Sequence, residues 1–445
     1  MSNPTGQRVS FCLALCAASW SCGLNVAGIA GETGDADDRD GIDSAEFEVG
    51  HDADEGTSGD VADADHAEGL ADGDVPAEDG EDLGETAEDV VVPCTDGLLE
   101  CLPDGSARRC ADGVWHDLGA CPLGCDPTSG ACYHPSNLPE SATVEAGRTE
   151  LVAPGLAGAG PTILVNGDSG SIAGTGGTVI RNAGTGTIDG IFFDVVPQTG
   201  EPSRTVGVFV MDGLDLPAGV TLRGSGTNPI AFLAEHGIHV RGTIDMGAGM
   251  SSATPAAAEG HHAPGPGGFP GGAASTAGAG PCGGLADGGT RCGRYCTAGG
   301  GGGGFGGRGG DGGDGRDASL SCHTVFEGGD GGGPCGTAEL VPLIGGSGGG
   351  GGARPDDDPA ARAVPGLGGA GGGAFQMTSL ESIHIYATGV VTAPGGAGGG
   401  ADFDGGGGGG GGAGGGLLLE APTVVLDAGG VLAANGGGGG SGDCT

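Results

Sequence analysis

Lysine is absent from this 445-residue chain; its 15 basic residues are all arginine and face 58 acidic ones, giving a formal charge of −43. Phosphate neutralisation requires clustered positive charge, so a nucleic-acid partner is excluded. Aromatics supply 4% of the residues, too few for a core built mainly on rings. The sequence has no G-x-S-x-G elbow, H-E-x-x-H helix, Walker loop or EF-hand spacing, and no apolar pattern of helical period and useful length. Glycine (111) and cysteine (15) are abundant instead.

The start, MSNPTGQRVSFCLALCAASWSC, has a short n-region with Arg8 and an apolar run of about 12 residues. A bilayer span needs ~20, so residues 1–22 read as a secretory signal. Ser19-Trp20-Ser21-Cys22 resembles a lipobox with Cys22 as the acylated residue; ordinary cleavage near Ala27–Gly31 is the alternative. If Cys12 and Cys16 leave with the signal and Cys22 carries lipid, 12 cysteines remain, in two groups of six. Even groups suit disulfide pairing in an oxidising compartment.

Residues 23–92 carry 24 acidic side chains against Arg39. Such a segment buries too little apolar surface to offset chain entropy, and its charges extend it. It reads as a disordered acidic linker, a stalk. Residues 93–135 hold Cys94, Cys101, Cys110, Cys121, Cys125 and Cys132 with intervening gaps of 6, 8, 10, 3 and 6. Zinc sites favour paired C-x₂-C units; these gaps predict a small disulfide-stapled module, with the connectivity open.

From residue 143 to 445 short apolar runs alternate with Gly, Asn, Asp and Pro. ILV at 163–165, TVI at 178–180, IDGIFF at 188–193 and VGVFVM at 206–211 read as strands. Four segments share apolar or small residues at offsets 0, 2, 6 and 8: Leu214/Leu216/Val220/Leu222, Ile238/Val240/Ile244/Met246, Ile383/Ile385/Gly389/Val391 and Val424/Leu426/Gly430/Leu432. Each reads as two short strands joined at a glycine bend, namely Gly219, Gly242, Gly389 and Gly429. The first two begin 24 residues apart, a plausible coil length, and the last two 41 apart with a 19-residue glycine-rich tract between them. The pattern predicts an all-β chain, a right-handed parallel β-helix (solenoid) with glycine-rich loop insertions, the largest at about 248–370.

Each inward Leu, Ile or Val contributes roughly 1.5–3 kcal/mol on burial. Ordering Gly405–Gly416 instead costs on the order of 6–12 kcal/mol more than ordering alanines, so the glycine tracts are expected to be mobile. A bundle of glycine-rich polyproline II strands would order them, but their glycine spacing shows no strict period of three.

Offset 1 of the repeat points outward and carries Asp215, His239, His384 and Val425. Stacked coils would align Asp215, His239 and His384 as a ligand or metal column with ~4.8 Å steps; a solvated polar face is the plain alternative. GGRGGD at 306–311 fits the start of a Ca²⁺ repeat, and GGDGGDG and DFDGGG (402–407) offer further carboxylates, but a flexible loop explains all three. His261-His262 reads as an exposed pair. Cys282, Cys292, Cys296, Cys322 and Cys335 lie in the large insertion and are expected to staple it, with Cys444 as sixth partner. No cofactor is called for beyond weakly supported Ca²⁺.

The signal, the acidic spacer, the C…C…CADGVW…C..GC…C module and the endings SIHIYATGVVTAPGG and TVVLDAGGVLAANGG resemble uncharacterised myxobacterial-type secreted lipoproteins over nearly the whole chain. The resemblance implies secretion and lipid anchoring at an outer membrane or cell surface, and no transferable activity. The expectation is a non-catalytic, surface-anchored protein for adhesion or matrix contact, with a membrane, polysaccharide or matrix as partner. The alternative is a carbohydrate-active β-helix enzyme, for which Asp189, Asp194, Asp212, Asp245, Arg223 and Arg241 are scattered candidates.

Overall fold

The computed structural model describes residues 94–121, 123–126, 128–139, 151–152, 162–249, 263–286, 297–316, 325–354, 364–401 and 405–442. The 1–22 signal with Cys22, the 23–92 linker, His261, His262, Cys292, Cys296, Cys322, Cys444 and residues 402–404 lie outside them.

Residues 94–132 form a three-stranded antiparallel sheet, Leu99–Cys101, Ser106–Ala111 and Val114–Ala120. Asp112 and Gly113 both take positive φ, 54° and 75°, as a two-residue type I′ hairpin requires. Cys94–Cys110, Cys101–Cys125 and Cys121–Cys132 are disulfides. A sheet this small buries little apolar surface, and cross-links supply what its core cannot. Arg108 lies 4.5 Å over the Trp115 ring and pairs with Glu100 at 2.6 Å.

Three mostly parallel sheets make the larger body, and no α-helix occurs among the described residues. The chain visits the sheets in the same order four times. The first coil is Glu201–Met211, Leu214–Leu216 and Thr221–Ser225, and the second Ile230–Ala234, Ile238–Val240 and Thr243–Asp245. The third is Ala374–Ser379, Ser382–Ile385 and Val390–Thr392, and the fourth Gly416–Glu420, Thr423–Leu426 and Val431–Ala433. Both insertions leave from one corner, after the third-sheet strand of a coil.

The repeat holds in the second sheet, where Leu214, Ile238, Ile383 and Val424 fall in register. It slips in the third: Leu222 pairs with Ile244, and Ile244 with Val391. The bend of the second coil is thus two residues shorter, and Ile244, not Met246, holds the last position of the template. The two-strand template also misses the first-sheet strand of every coil. Those strands are buried on both faces, so they show no alternation to detect. Their inner side carries Phe209, Phe232 and Phe375, with successive ring centroids 5.5 and 5.1 Å apart, continued by Phe193 at 4.7 Å from Phe209.

Ahead of the first coil the direction changes. Ile172–Gly174 and Val179–Arg181 extend the third sheet antiparallel, and Gly186–Ile188 with Ile191–Gln198 extend the first. Fully buried Arg181 closes this end: its guanidinium donates to the carbonyls of Gly170, Asn182, Gly184, Gly186 and Ile191 at 2.6–3.0 Å. Burial, the main influence, lowers its pKa below the usual arginine value, and Asp189 opposes that change.

The glycine tracts are not mobile loops, contrary to the expectation from glycine's chain entropy. The 405–416 tract is a buried rod with five neighbouring segments. Amides of Gly407, Gly410 and Ala413 donate to Ala353, Gly350 and Ser347; those of Gly409, Gly412 and Gly415 donate to Gly399, Gly396 and Ala393. Carbonyls of Gly405, Gly408 and Gly411 accept from Thr297, Gly300 and Gly303, and those of Gly407, Gly410 and Ala413 from Gly366, Gly369 and Gly372. Gly437 and Gly440 donate to Gly412 and Gly409. Every partnership recurs at three residues, the period of a polyproline II helix, which makes no internal hydrogen bonds. Each backbone therefore satisfies itself only through neighbours, and the entropy of ordering is offset collectively.

Such closeness needs glycine: a Cβ on Gly410 would lie 2.0 Å from the Gly301 carbonyl oxygen. The missing sequence period has the same cause, since a rod crowded on all sides needs glycine at nearly every position. The outer tract 306–314, GGRGGDGGD, does show the period of three. Its Asp311 pairs with Arg308 at 2.6 Å and accepts from Gly331 N, while Asp314 accepts from Gly328 N. Backbone Gly331 first, then Arg308, holds the Asp311 carboxyl below the ordinary carboxylate range. These residues bridge adjacent rods.

The bundle covers the outer side of the first sheet through Phe305, Leu340, Leu343 and Ile344, packed over Val206, Val208, Val210 and Leu418. The segment after the disulfide module joins this seam. Buried Asn137 accepts from Leu343 N and donates to Leu340 O, both at 3.0 Å, and Glu420 accepts from Ser136, Gln376 and Thr378.

Candidate functional site

The outward positions of the second sheet come into line. Asp215 lies opposite His239, and His239 opposite His384, with Val425 next. Buried Leu214, Leu216, Ile238, Val240, Ile383 and Ile385 flank them, so strand alternation holds the polar groups at the surface.

Three residues that the sequence pattern did not place there complete the strip. Tyr386, just beyond the third-coil strand, stacks on His384 with centroids 3.8 Å apart and planes 15° apart. Its hydroxyl lies 3.3 Å from His239 Nδ1. Arg241, which the sequence offered as a scattered enzyme candidate, sits with its guanidinium carbon 4.2 Å from the Tyr386 centroid and ion-pairs with Asp215. Asp427 from the fourth coil meets His384 Nε2 at 2.8 Å. Asp215 and His384 are thus engaged with Arg241 and Asp427 respectively, and Asp215, His239 and His384 do not converge on one point. Tyr386 and Asp427 had no signal in the repeat because both stand at bends, outside the period-two positions.

A second grouping lies where the first sheet turns into the second. Asp212, Glu235 and His236 place one ligand atom each within 4.8 Å of the others. His236 Nδ1 is 3.0 Å from Asp212 Oδ1, and its amide donates to the Asp212 carbonyl at 2.7 Å. The Asp212 charge is the main influence raising the His236 pKa, with Glu235 and Glu381 adding to it. Two carboxylates and an imidazole form a donor set suited to a divalent transition metal. Coil stacking creates this group: Asp212 comes from one coil and the other two from the next.

The other acidic and basic candidates are spread apart. Asp189 caps Asn182, Asp194 accepts from its neighbour's amide, and Arg223 faces Asp245 on the third sheet at 3.9 Å. A small cavity lined by Phe305, Leu340 and Leu417 lies between bundle and first sheet. No family model matches the chain, and neither a curated protein nor a solved structure matches it.

Proposed function

We propose that this chain is a non-catalytic, surface-anchored extracellular protein that contacts polysaccharide or matrix through the second-sheet strip. The supporting observation is the Arg241–Tyr386–His384 stack with His239 beside it. Aromatic and guanidinium faces held at the bends, with imidazoles set by strand register and paired carboxylates, suit the apolar faces and hydroxyl edges of sugars. The wider reading includes a signal at 1–22, acylation of Cys22, the acidic stalk and an outer-membrane or cell-surface address, as the likeness to myxobacterial-type lipoproteins implies. Right-handed winding of the coils belongs to it too, since parallel crossovers within one sheet are right-handed in about 98% of cases.

The His384–Asp427 pair favours one second reading, a carbohydrate-active enzyme. An imidazole oriented by a carboxylate is an acid–base device. Full-length protein incubated with neutral and acidic polysaccharides separates the two. The leading reading expects binding without turnover, weakened about tenfold or more by Tyr386→Ala. Binding unchanged in that variant overturns the strip as contact surface, and turnover lost in His384→Ala replaces the leading reading with the second.

A further inference from the structure

Cys282 and Cys335 stand 53 positions apart in the chain and are brought together by one rod of the glycine bundle. Gly304 donates its amide to Cys282 O at 2.8 Å, and its carbonyl lies 3.9 Å from Cys335 Sγ. The next residue, Phe305, accepts from Cys335 N at 2.8 Å. Cys282 N donates to Ser347 Oγ at 3.1 Å, and Ser347 is fully buried. The Cys282 and Ser347 side chains are the neighbours that act on the Cys335 thiol. Both are free thiols in the structure, and backbone bonds tie each to the Gly304–Phe305 corner.

We propose that Cys282 and Cys335 are a disulfide-forming pair, closed by exchange with an external disulfide, and that the resulting bond locks two segments of the glycine bundle together. Cys335 packs against the apolar cluster of Phe305, Leu340 and Leu343, so the bond lies within the bundle beside its seam with the first sheet. The same chain carries three disulfides in its N-terminal module, so the oxidising conditions that form those serve this pair. The remaining insertion cysteines and Cys444 stay even in number.

Burial chiefly, with the Cys282 contact adding to it, pushes the Cys335 thiol up to about 12, which leaves little thiolate to attack. The thiolate of one cysteine attacks one sulfur of the external disulfide and expels the other as a thiolate, leaving a mixed disulfide. The other cysteine then loses its proton and attacks the protein sulfur of that mixed disulfide, expelling the second external thiolate. Two protein thiols become one disulfide, and the external disulfide is reduced to two thiols.

Non-reducing peptide mapping of the full-length oxidised protein, alkylated before digestion, tests the pairing. The expected product is a Cys282–Cys335 linked peptide, two hydrogens lighter than the sum of its thiol forms. Cleavage within the 297–304 tract should accelerate on the order of a hundred- to a thousandfold in Cys282→Ser, as loop-closure entropy implies for a loop of this length. Cys335→Ser and the double variant should show the same acceleration. Alkylation of both cysteines in the oxidised protein overturns the proposal, as does linkage of either to another cysteine. Cleavage unchanged in the serine variants overturns the locking role. If those variants fail to fold, the wild-type map alone decides the pairing.

Discussion

Replacing Gly410 with alanine tests whether the bundle is a packed solid or a set of tethered loops. The new Cβ would lie 2.0 Å from Gly301 O, 2.4 Å from Gly301 C and 2.8 Å from Gly300 O. Ordinary contact begins near 3.4 Å, so the rods must part by about 1.4 Å. The obstruction is backbone, so no rotamer change relieves it. Parting the rods stretches Gly300 N–Gly408 O and Gly303 N–Gly411 O, both now 2.9 Å, beyond useful range. Two bonds at about 0.5–1.5 kcal/mol each, with overpacking at about 1–3 kcal/mol, outweigh the roughly 0.4–1 kcal/mol that alanine returns by restricting the unfolded chain. The net expectation is a loss of about 1–6 kcal/mol. Gly310→Ala is the internal control: its added Cβ meets nothing within 4 Å, so the unfolded-state term stands alone and the variant should gain up to about 1 kcal/mol. Native-state hydrogen exchange of the bundle amides reads both. Protection within 1 kcal/mol of wild type in Gly410→Ala, or equal damage from both variants, would refute close packing as the origin of order.

Arg181→Met keeps the apolar stem but removes every donor from five carbonyls. Unsatisfied buried acceptors make this costly, about 3–5 kcal/mol by urea denaturation, and a loss under 1 kcal/mol would show that the cap is held by other means. The His236 imidazole should titrate above the ordinary histidine value of about 6.5 by NMR, and Asp212→Asn should bring it down. Because the folded state favours the protonated form, its stabilisation is complete below the unfolded value and is lost as pH rises through the folded one. An unmoved midpoint in Asp212→Asn would reject Asp212 as the source.

The second-sheet strands were readable because the first three coils bury one side of them: period-two apolar positions mark them and fix their outward residues. Asp215, His239 and His384 fall in the expected register for that reason. The first-sheet strands were harder, since IAFLA and AFQMTS have both sides covered and carry no alternation. The candidate strip was half legible. Its histidines follow the repeat, whereas Tyr386, Arg241 and Asp427 join it from bends, and bends obey no period.

The glycine tracts mark the sharpest division. Local chemistry says that a glycine run is expensive to order, and that holds for a single run. It does not hold for several runs side by side, because polyproline II rods exchange hydrogen bonds only with neighbours. The three-residue period stood openly in GGRGGDGGD, where charged residues face outward, and was erased in 405–416, where neighbours crowd the rod. Sequence by itself determined the all-β character, the six-cysteine module and the register of the second sheet, because each follows from nearby residues. Only the tertiary structure decided that the glycines are core, that Arg181 closes one end and that Asp212 meets His236. Those outcomes depend on contacts between distant segments, and their energy exists only once the segments meet.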